Sequence, residues 1–376
     1  MKTKGLLGAA SFLFLLFLLQ GCGFGNDGSS EEMDAPPPQE DPALWEEELI
    51  EGEPDTSELP NEEAESEEAE KEKSATEQEE TEEGTVEREL YLMSETGLVV
   101  PHTFSLPKEE GVLQQSLEYL VKDGPLTSML PNGFQAVLPP GTEVDVHLTE
   151  EGTAIADFSP EFRDYDPNHE QAMLEAITWT LTQFENVDEV KVQINGYEQE
   201  TMPVADTPIG TTYSRENGIN LESSHVSDMM QSNSVTLYFL TQAGDESYFV
   251  PVTRRVNTEE EKSLLDTAIN ELVKGPHANS SLHGVIREGA ALEAAATVEG
   301  DTASLVFNES LLTEQEGTAI SQETLHAIAL TATEMEGIEN INLSVEGMDN
   351  VMEVSGDTLS EPLARPAAVN AAETSH

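Results

Sequence analysis

The sequence is poor in cysteine and in positive charge. It contains one cysteine, Cys22, among 376 residues, so no disulfide can form within the chain and burial must stabilise the fold. Only 16 residues are Lys or Arg against 75 Asp or Glu, which gives a formal net charge of −59. Nucleic-acid binding needs clustered cations that neutralise phosphates, and the sequence has no such cluster. We therefore exclude a nucleic-acid partner.

Motifs that carry chemistry are also missing. The spacing of the histidines does not match that of a metal site, and neither a Gly-x-Ser-x-Gly elbow nor a phosphate-binding glycine loop is present. The histidines considered are His102, His147, His169, His225, His277 and His283. The nearest pair, His277 and His283, is interpreted as incidental loop histidines. We predict no enzymatic activity, no catalytic residue, no cofactor and no metal, although carboxylates are too numerous for composition to exclude a glycosidase.

The N-terminus accounts for the single cysteine. Two lysines precede the apolar run Leu6–Leu19, which Gln20, Gly21 and Cys22 follow. This run is shorter than the roughly 20 apolar residues that a membrane-spanning helix needs. We predict that residues 1–21 are a lipoprotein signal peptide and that Cys22 carries the lipid, including palmitate. Gln20 is unusual before such a cleavage site, and the alternative is a plain secretory peptide.

The next segment, residues 22–86, is dominated by Glu, Asp, Pro, Ser and Thr, as in the run Glu62–Glu68. Such a composition buries too little apolar surface to offset the entropy of ordering the chain. We predict a disordered acidic linker that, as a flexible coil, spans on the order of 45 Å. It would hold a folded part away from the membrane.

An internal repeat organises the rest of the chain. The segment Ala176–Gly196 aligns without a gap on Ala327–Gly347, and the match continues towards the N-terminus through each unit. We predict two copies of one domain, residues 87–222 and 233–350, followed by a loosely ordered tail over residues 351–376.

Local patterns predict the same order of elements, ββαββαβ, in both copies. In the first copy we predict a hairpin of Leu90–Met93 and Leu98–Thr103, a helix from Leu113 that ends at Gly124-Pro125, a hairpin of Val144–Leu148 and Thr153–Phe158, a helix capped by Asp166 with Met173, Ile177, Thr180, Leu181 and Phe184 facing inward, and a strand Glu189–Ile194. In the second copy we predict a capping box Asn257–Glu260 before the helix with Leu265, Ala268, Ile269 and Leu272, a helix opened by Ser321 with Leu325, Ile328, Ala332 and Met335, and a strand with Ile341, Leu343 and Val345. Thr180 and Thr331 are interpreted as packing residues. The predicted fold class is α+β, with a small mixed sheet and two helices on one face in each copy.

The element Leu-Val-Lys-(Asp)-Gly-Pro occurs in both copies, at Leu120–Pro125 and Leu272–Pro276. It could be a repeated partner-binding loop. It could also simply end a helix, because Lys favours the negative helix end, Gly adopts a left-handed cap and Pro cannot continue the helix. We favour helix termination.

Together with the lipoprotein leader and the acidic linker, this element and the later Ala-Ile-x-x-Thr helix resemble the GerM family of sporulation and germination lipoproteins, which have tandem GerMN domains. The resemblance covers residues 87–350. It implies a domain similar to ring-building folds and a non-enzymatic, lipid-anchored protein of the cell membrane that faces outside the cytoplasm. That protein would support assembly or localisation of the channel complex between mother cell and forespore, with channel proteins and further copies of itself as partners. The alternative is an envelope lipoprotein that binds or hydrolyses peptidoglycan.

Overall fold

The computed structural model describes residues 84–222, 232–244, 246–257, 262–313, 317–348, 351–356 and 358–371. The predicted signal peptide, Cys22 and nearly all of the acidic linker lie outside these residues, as do residues 258–260 of the predicted capping box. Within the described residues, each helix is too short or too polar to cross a membrane.

The first copy has the predicted order of elements, with short strands added. Its strands are β1 (Thr85–Ser94), β2 (Val99–Pro107), β3 (Phe134–Gln135), β4 (Val144–Leu148), β5 (Thr153–Phe158), β6 (Glu189–Ile194), β7 (Tyr197–Glu198) and β8 (Tyr213–Ser214), and its helices are α1 (Val112–Glu118) and α2 (Glu170–Leu181).

The second copy repeats this order. Its strands are β9 (Asn233–Ala243), β10 (Glu246–Val256), β11 (Thr297–Glu299), β12 (Thr302–Phe307), β13 (Ala319–Ile320), β14 (Asn340–Val345), β15 (Met352–Glu353) and β16 (Leu363–Ala364), and its helices are α3 (Leu264–Lys274) and α4 (Gln322–Ala332). The predicted α+β class with two repeated domains is confirmed.

Each copy combines a long hairpin with a mixed sheet. The hairpins are β1–β2 and β9–β10, and they do not join the mixed sheets. In the mixed sheets, β5 pairs in parallel with β6 and β12 pairs in parallel with β14. A parallel pair needs a crossover, and α2 and α4 supply it.

The crossover helix α2 lies between the two β layers of its copy. It contacts both β1 and β6, and ten of its twelve residues are buried. A helix covered on both sides is apolar nearly all round, which is why the single inward stripe that we predicted understates its burial. In β6 the predicted alternation is present, with Val190, Val192 and Ile194 buried.

The first helix of the first copy is shorter than predicted. α1 ends at Glu118 rather than at Gly124, because the backbone of Leu120 and Lys122 exchanges hydrogen bonds with Leu138. Gly124 has an extended backbone, with φ −90°. The predicted glycine cap is therefore wrong in this copy. In the second copy the position is correct, since α3 ends at Lys274 and Gly275 follows, but its φ of 80° and ψ of −179° differ from the predicted left-handed cap.

The start of α3 also differs from the prediction. The helix begins at Leu264, and the capping box is formed by Ser263 and Asp266 rather than by the segment that starts at Asn257. The Ser263 hydroxyl accepts from the Asp266 backbone N–H at 3.0 Å, and the Asp266 carboxylate accepts from the Ser263 N–H at 3.1 Å. The predicted inward residues of this helix are buried.

The C-terminal segment is not the loose tail that we predicted for residues 351–376. Over residues 358–371 it packs against the body: β16 pairs with β14, and Val369 is only 2% exposed. It is also held to the first copy by hydrogen bonds from Val369 and Asn370. Sequence periodicity misses this segment because it is short and irregular.

Candidate functional site

The two copies meet along β2 and β10, and the segment that follows each copy crosses to the hairpin of the other. The Ile219 N–H donates to the Thr253 hydroxyl at 2.9 Å, and the Thr253 N–H donates to the Ile219 carbonyl at 2.8 Å. The Val369 N–H donates to the Thr103 hydroxyl at 3.0 Å, and the Thr103 N–H donates to the Val369 carbonyl at 3.0 Å. We call this contact, formed by residues 99–103, 249–253, 219–220 and 369–370, the joint.

Two asparagines bridge the hairpins at the joint. The Asn220 amide donates to the carbonyls of Val99 at 2.7 Å and Pro251 at 2.8 Å, and its oxygen accepts from the Val99 N–H at 2.8 Å. Asn370 makes the equivalent bonds to Phe249 and Pro101, all at 2.8 Å. Both asparagines have positive φ, 46° and 50°, a conformation that Asn tolerates better than most residues. Each side chain thus satisfies backbone groups of both copies at once.

A buried ion cluster lies beside the joint. The carboxylate of Glu334, whose side chain is 8% exposed, accepts from Arg215 at 3.0 Å and from Arg365 at 2.8 Å. It also accepts from the Tyr238 hydroxyl at 2.7 Å. Burial alone would raise the pKa of Glu334, but the two guanidinium groups and the hydroxyl hold it below its usual value. One carboxylate therefore joins an arginine from each copy.

Each arginine of this cluster also lies over an aromatic ring. Arg215 stacks on the Trp179 ring with 4.2 Å from its central carbon to the ring centroid, and Arg365 lies over Tyr238 at 5.6 Å. Glu89 is 3.9 Å from Arg365. Glu89, Glu334 and the two arginines line a cleft of about 640 Å³, in which both arginine side chains are about 30% exposed.

The two predicted packing threonines have a defined role next to the cluster. Thr180 and Thr331 are fully buried. The Thr180 hydroxyl accepts from the Tyr91 backbone N–H at 3.1 Å, and Thr331 accepts from Tyr238 at 3.2 Å. Each crossover helix is thereby attached to the first strand of its hairpin, which agrees with the structural interpretation of both threonines.

His102 is enclosed in the joint. It is fully buried, both ring nitrogens lack a hydrogen-bond partner, and its ring centroid lies 4.3 Å from that of Phe134 and 5.1 Å from that of Tyr248 in the other copy. Burial lowers the pKa of His102 to about 4. The imidazole is therefore neutral at physiological pH.

Arg254 links the start of the connection between the copies to the Leu-Val-Lys-Gly-Pro element of the second copy. It is 5% exposed, and its guanidinium pairs with Glu222 at 2.7 Å and with Glu271 at 3.0 Å. It also donates to the Gly275 carbonyl at 3.0 Å. Part of the Leu-Val-Lys-Gly-Pro element thus binds within its own chain, which supports the structural interpretation. His277 lies in the same region, 3.7 Å from Glu222.

Glu170 organises a loop of the first copy. Its buried carboxylate accepts from the Tyr165 hydroxyl at 2.7 Å and from the backbone N–H groups of Val204, Ala205 and Thr207 at 2.7 to 3.0 Å. Burial opposes ionisation, yet these donors lower the pKa of Glu170 to about 2. The segment Asn168-His169-Glu170 therefore supports the fold.

Two clefts flank the joint at equivalent places in the copies. The wider, of about 970 Å³, includes His326, Tyr248 and Met129, and the narrower, of about 490 Å³, includes Glu175 and His277. Burial raises the pKa of Glu175. Both of its oxygens are nevertheless engaged, by Gln171 at 2.9 Å and by the Asn220 N–H at 3.0 Å, so it is part of the joint rather than a free acid.

The remaining predicted positions do not come together. His147 and His283 are exposed, His169 is half-buried, and His225 lies outside the described residues, as does Cys22. Across the part of the chain that the structure describes, His, Cys, Asp and Glu side chains do not assemble into a group of three that could hold a metal ion.

Sequence reasoning missed the residues that build the joint. Asn220, Asn370, Arg215 and Arg365 were not singled out, yet a signal exists: Tyr213–Asn220 and Leu363–Asn370 share an Arg at the third position, a branched apolar residue at the seventh and Asn at the eighth. The only strand in each segment, β8 or β16, has two residues, which is too short to give a periodic pattern.

Fold and joint together define a tandem-repeat α+β protein whose two copies form a single packed body. A family model described as "Sporulation and spore germination" (Germane) matches residues 89–200 and 236–351. The chain is 40% identical to the spore germination protein GerM of Bacillus subtilis (strain 168) over 372 residues, 98% of either chain. It also matches the solved tandem GerMN domains of the sporulation protein GerM from Bacillus subtilis at 42% identity and a TM-score of 0.72, over 77% of this chain and all of that one. The chain belongs to the Germane family of sporulation and spore germination proteins.

Proposed function

We propose that this protein is a non-enzymatic lipoprotein of endospore formation and germination, anchored in the cell membrane through lipidated Cys22 and facing outside the cytoplasm. Its two GerMN domains would support assembly or localisation of the channel complex between mother cell and forespore. The observation that carries this proposal is the 40% identity to GerM over 98% of both chains, which extends beyond the two domains into the N-terminal region.

The geometry of the joint supports a scaffolding role. An assembly protein must present its contact surfaces in a constant relative orientation, and here two asparagine bridges and a shared ion cluster connect the copies. The buried polar groups at the joint mostly serve its own hydrogen bonds, as Glu175 and Glu334 show. This arrangement favours a structural role over turnover of a substrate.

The first experiment is partner capture during sporulation. The tagged chain is expressed in a Bacillus subtilis strain that lacks its own GerM, membranes are crosslinked, and bound proteins are identified by mass spectrometry. We expect channel proteins to be enriched and sporulation to be restored. Recovery of none of them from well-expressed protein would contradict the assembly role.

The anchor is tested in the same strain with Cys22→Ala. We expect the variant to incorporate no labelled palmitate, because the thiol that would carry the acyl chains is absent. A variant with the signal peptide intact and Ser29→Ala is the matched control. If Cys22→Ala still incorporates palmitate like the parent chain, lipid attachment at this residue is wrong.

The alternative, a lipoprotein that binds or hydrolyses peptidoglycan, gives a different result. Purified protein would clear a peptidoglycan zymogram or sediment with purified wall material. We expect neither.

A further inference from the structure

The joint is built from one set of contacts made twice. Every residue of one set lies 150 positions after its counterpart: Val99 and Phe249, Pro101 and Pro251, Thr103 and Thr253, Ile219 and Val369, Asn220 and Asn370. In each set, the segment that follows one copy forms hydrogen bonds with the threonine of the other copy. The asparagine of that segment forms hydrogen bonds with the hairpin of its own copy and with the proline carbonyl of the other copy. The two hairpins thus contact each other as the subunits of a two-fold symmetric dimer do.

This arrangement has a consequence for association. In a two-fold contact the same patch is used on both sides, so each patch fits a second molecule that carries it. We propose that the joint is a self-association surface and that two chains can pair by exchanging copies, the first copy of one chain binding the second copy of another. The partner is a second copy of this chain, and all hydrogen bonds of the joint are retained in the exchanged form.

The connection between the copies decides which form prevails. Nine residues, 223–231, join Glu222 to Ser232 and lie outside the described part of the chain. A short connection gives the copies of one chain an effective concentration in the millimolar range, so the self-paired monomer is favoured in dilute solution. Exchange becomes competitive where chains are crowded, as on a membrane patch.

The structure also shows how to shift this balance. The Glu222 backbone bridges Arg254 on one edge of β10, whereas β9 occupies the other edge. Adjacent strands are about 4.8 Å apart, so Glu222 and β9 are separated by roughly 10 Å. Deletion of residues 224–231 leaves only Ser223 between Glu222 and Ser232, and two residue steps span at most about 7 Å. The copies of one chain then cannot keep the joint intact.

The test compares the mature chain, residues 22–376 with Cys22→Ser, with the same chain lacking residues 224–231. Two forms that differ in tag mass are mixed at about 0.15 M salt, which screens the acidic surfaces, and native mass spectrometry records the assemblies. We expect the parent to be mainly monomeric at low micromolar concentration and the shortened chain to form mixed dimers or larger closed assemblies.

Variants then show whether these assemblies use the joint. In the shortened chain, Asn220→Ala with Asn370→Ala should lower the assembled fraction at least tenfold, whereas Asn342→Ala, at an exposed position on β14, should not. If the asparagine double variant loses its native circular dichroism, Thr103→Val with Thr253→Val replaces it, because this pair removes only the two hydroxyls and their hydrogen bonds.

Two outcomes would overturn the proposal. One is a folded shortened chain that stays monomeric up to about 100 µM, although its own two copies cannot pair and no intrachain contact competes with exchange. The other is assembly that the joint variants leave unchanged. Because the measurement uses purified chain, its result is independent of the proposed sporulation role.

Discussion

The two copies share a backbone but differ in what they bury at the joint. The first copy places His102 and Phe104 where the second has Val252 and Arg254. In the first, an aromatic cluster fills the space, while in the second an ion-pair network binds the connecting residue Glu222. The comparison shows that one fold supports either solution, provided that every buried charge has a partner.

A second difference lies after the crossover helices. Glu334 of the second copy corresponds to Gln183 of the first, and only the second copy therefore supplies a carboxylate to the arginines of both. Gln183 bonds the Glu89 backbone at 2.6 to 3.0 Å instead. The asymmetry suggests exchanging residues between copies as a direct test of what each contributes.

The largest effect is expected for Arg254→Phe, which gives the second copy the residue of the first. It leaves the largely buried carboxylates of Glu222 and Glu271 without their shared guanidinium partner, and only Glu271 keeps a second cation, Lys274. Breaking a buried pair in this way costs roughly 3–5 kcal/mol in the free energy of unfolding. Urea unfolding followed by circular dichroism measures it, with Arg163→Phe at an exposed position as control. A loss below about 1 kcal/mol would show that the network is dispensable.

Glu334→Gln should have the next largest effect, because it leaves Arg215 and Arg365 without their shared carboxylate. Both arginines are about 30% exposed, so water compensates in part and we expect a loss of roughly 2–4 kcal/mol. Glu336→Gln, two residues away and exposed, is the matched control. Equal unfolding curves for both variants would contradict the assigned role.

Glu170→Gln should cost roughly 1–3 kcal/mol at neutral pH, because an amide cannot accept all the bonds that the carboxylate accepts. The folded-state pKa of Glu170, about 2, lies below its unfolded value. Its contribution is therefore complete above about pH 4.5 and is lost as pH falls towards 2. The free energy of unfolding of the variant should depend less steeply on pH in that window than that of the parent or of Glu185→Gln, a change at an exposed position. An identical slope would refute the assigned carboxylate contacts.

His102→Val should have the smallest effect at pH 7, within about 1 kcal/mol, because lost packing offsets the removal of two unpaired ring nitrogens. The pKa of His102 is about 4 when folded, below its unfolded value of 6.5. Its neutral form thus stabilises the fold fully above pH 6.5, and this contribution falls by roughly 1 kcal/mol per unit as pH drops towards 4. In His102→Val the free energy of unfolding should no longer show this part of the pH dependence, whereas in His147→Val it should.

Much of the fold could be predicted because it is local. The hairpins, the caps at Asp166 and Ser321 and the alternation in β6 each depend on a few neighbouring residues. The length of α1 could not be predicted, since it is set by the pairing of Leu120 and Lys122 with Leu138, a contact between separate segments. For the same reason the burial of His102 was missed: its environment includes Tyr248 of the other copy.

The sequence by itself determined the repeat, the order of elements in each copy and the class of protein, because side-chain periodicity and repeated motifs are properties of neighbouring residues. Only the tertiary structure decided how the copies meet. Asn220 and Asn370 act on residues 121 positions away in their own copies, and Val369 acts on a hairpin 266 positions away. Contacts over such separations leave no periodic trace, so the joint becomes visible only when the chain is folded.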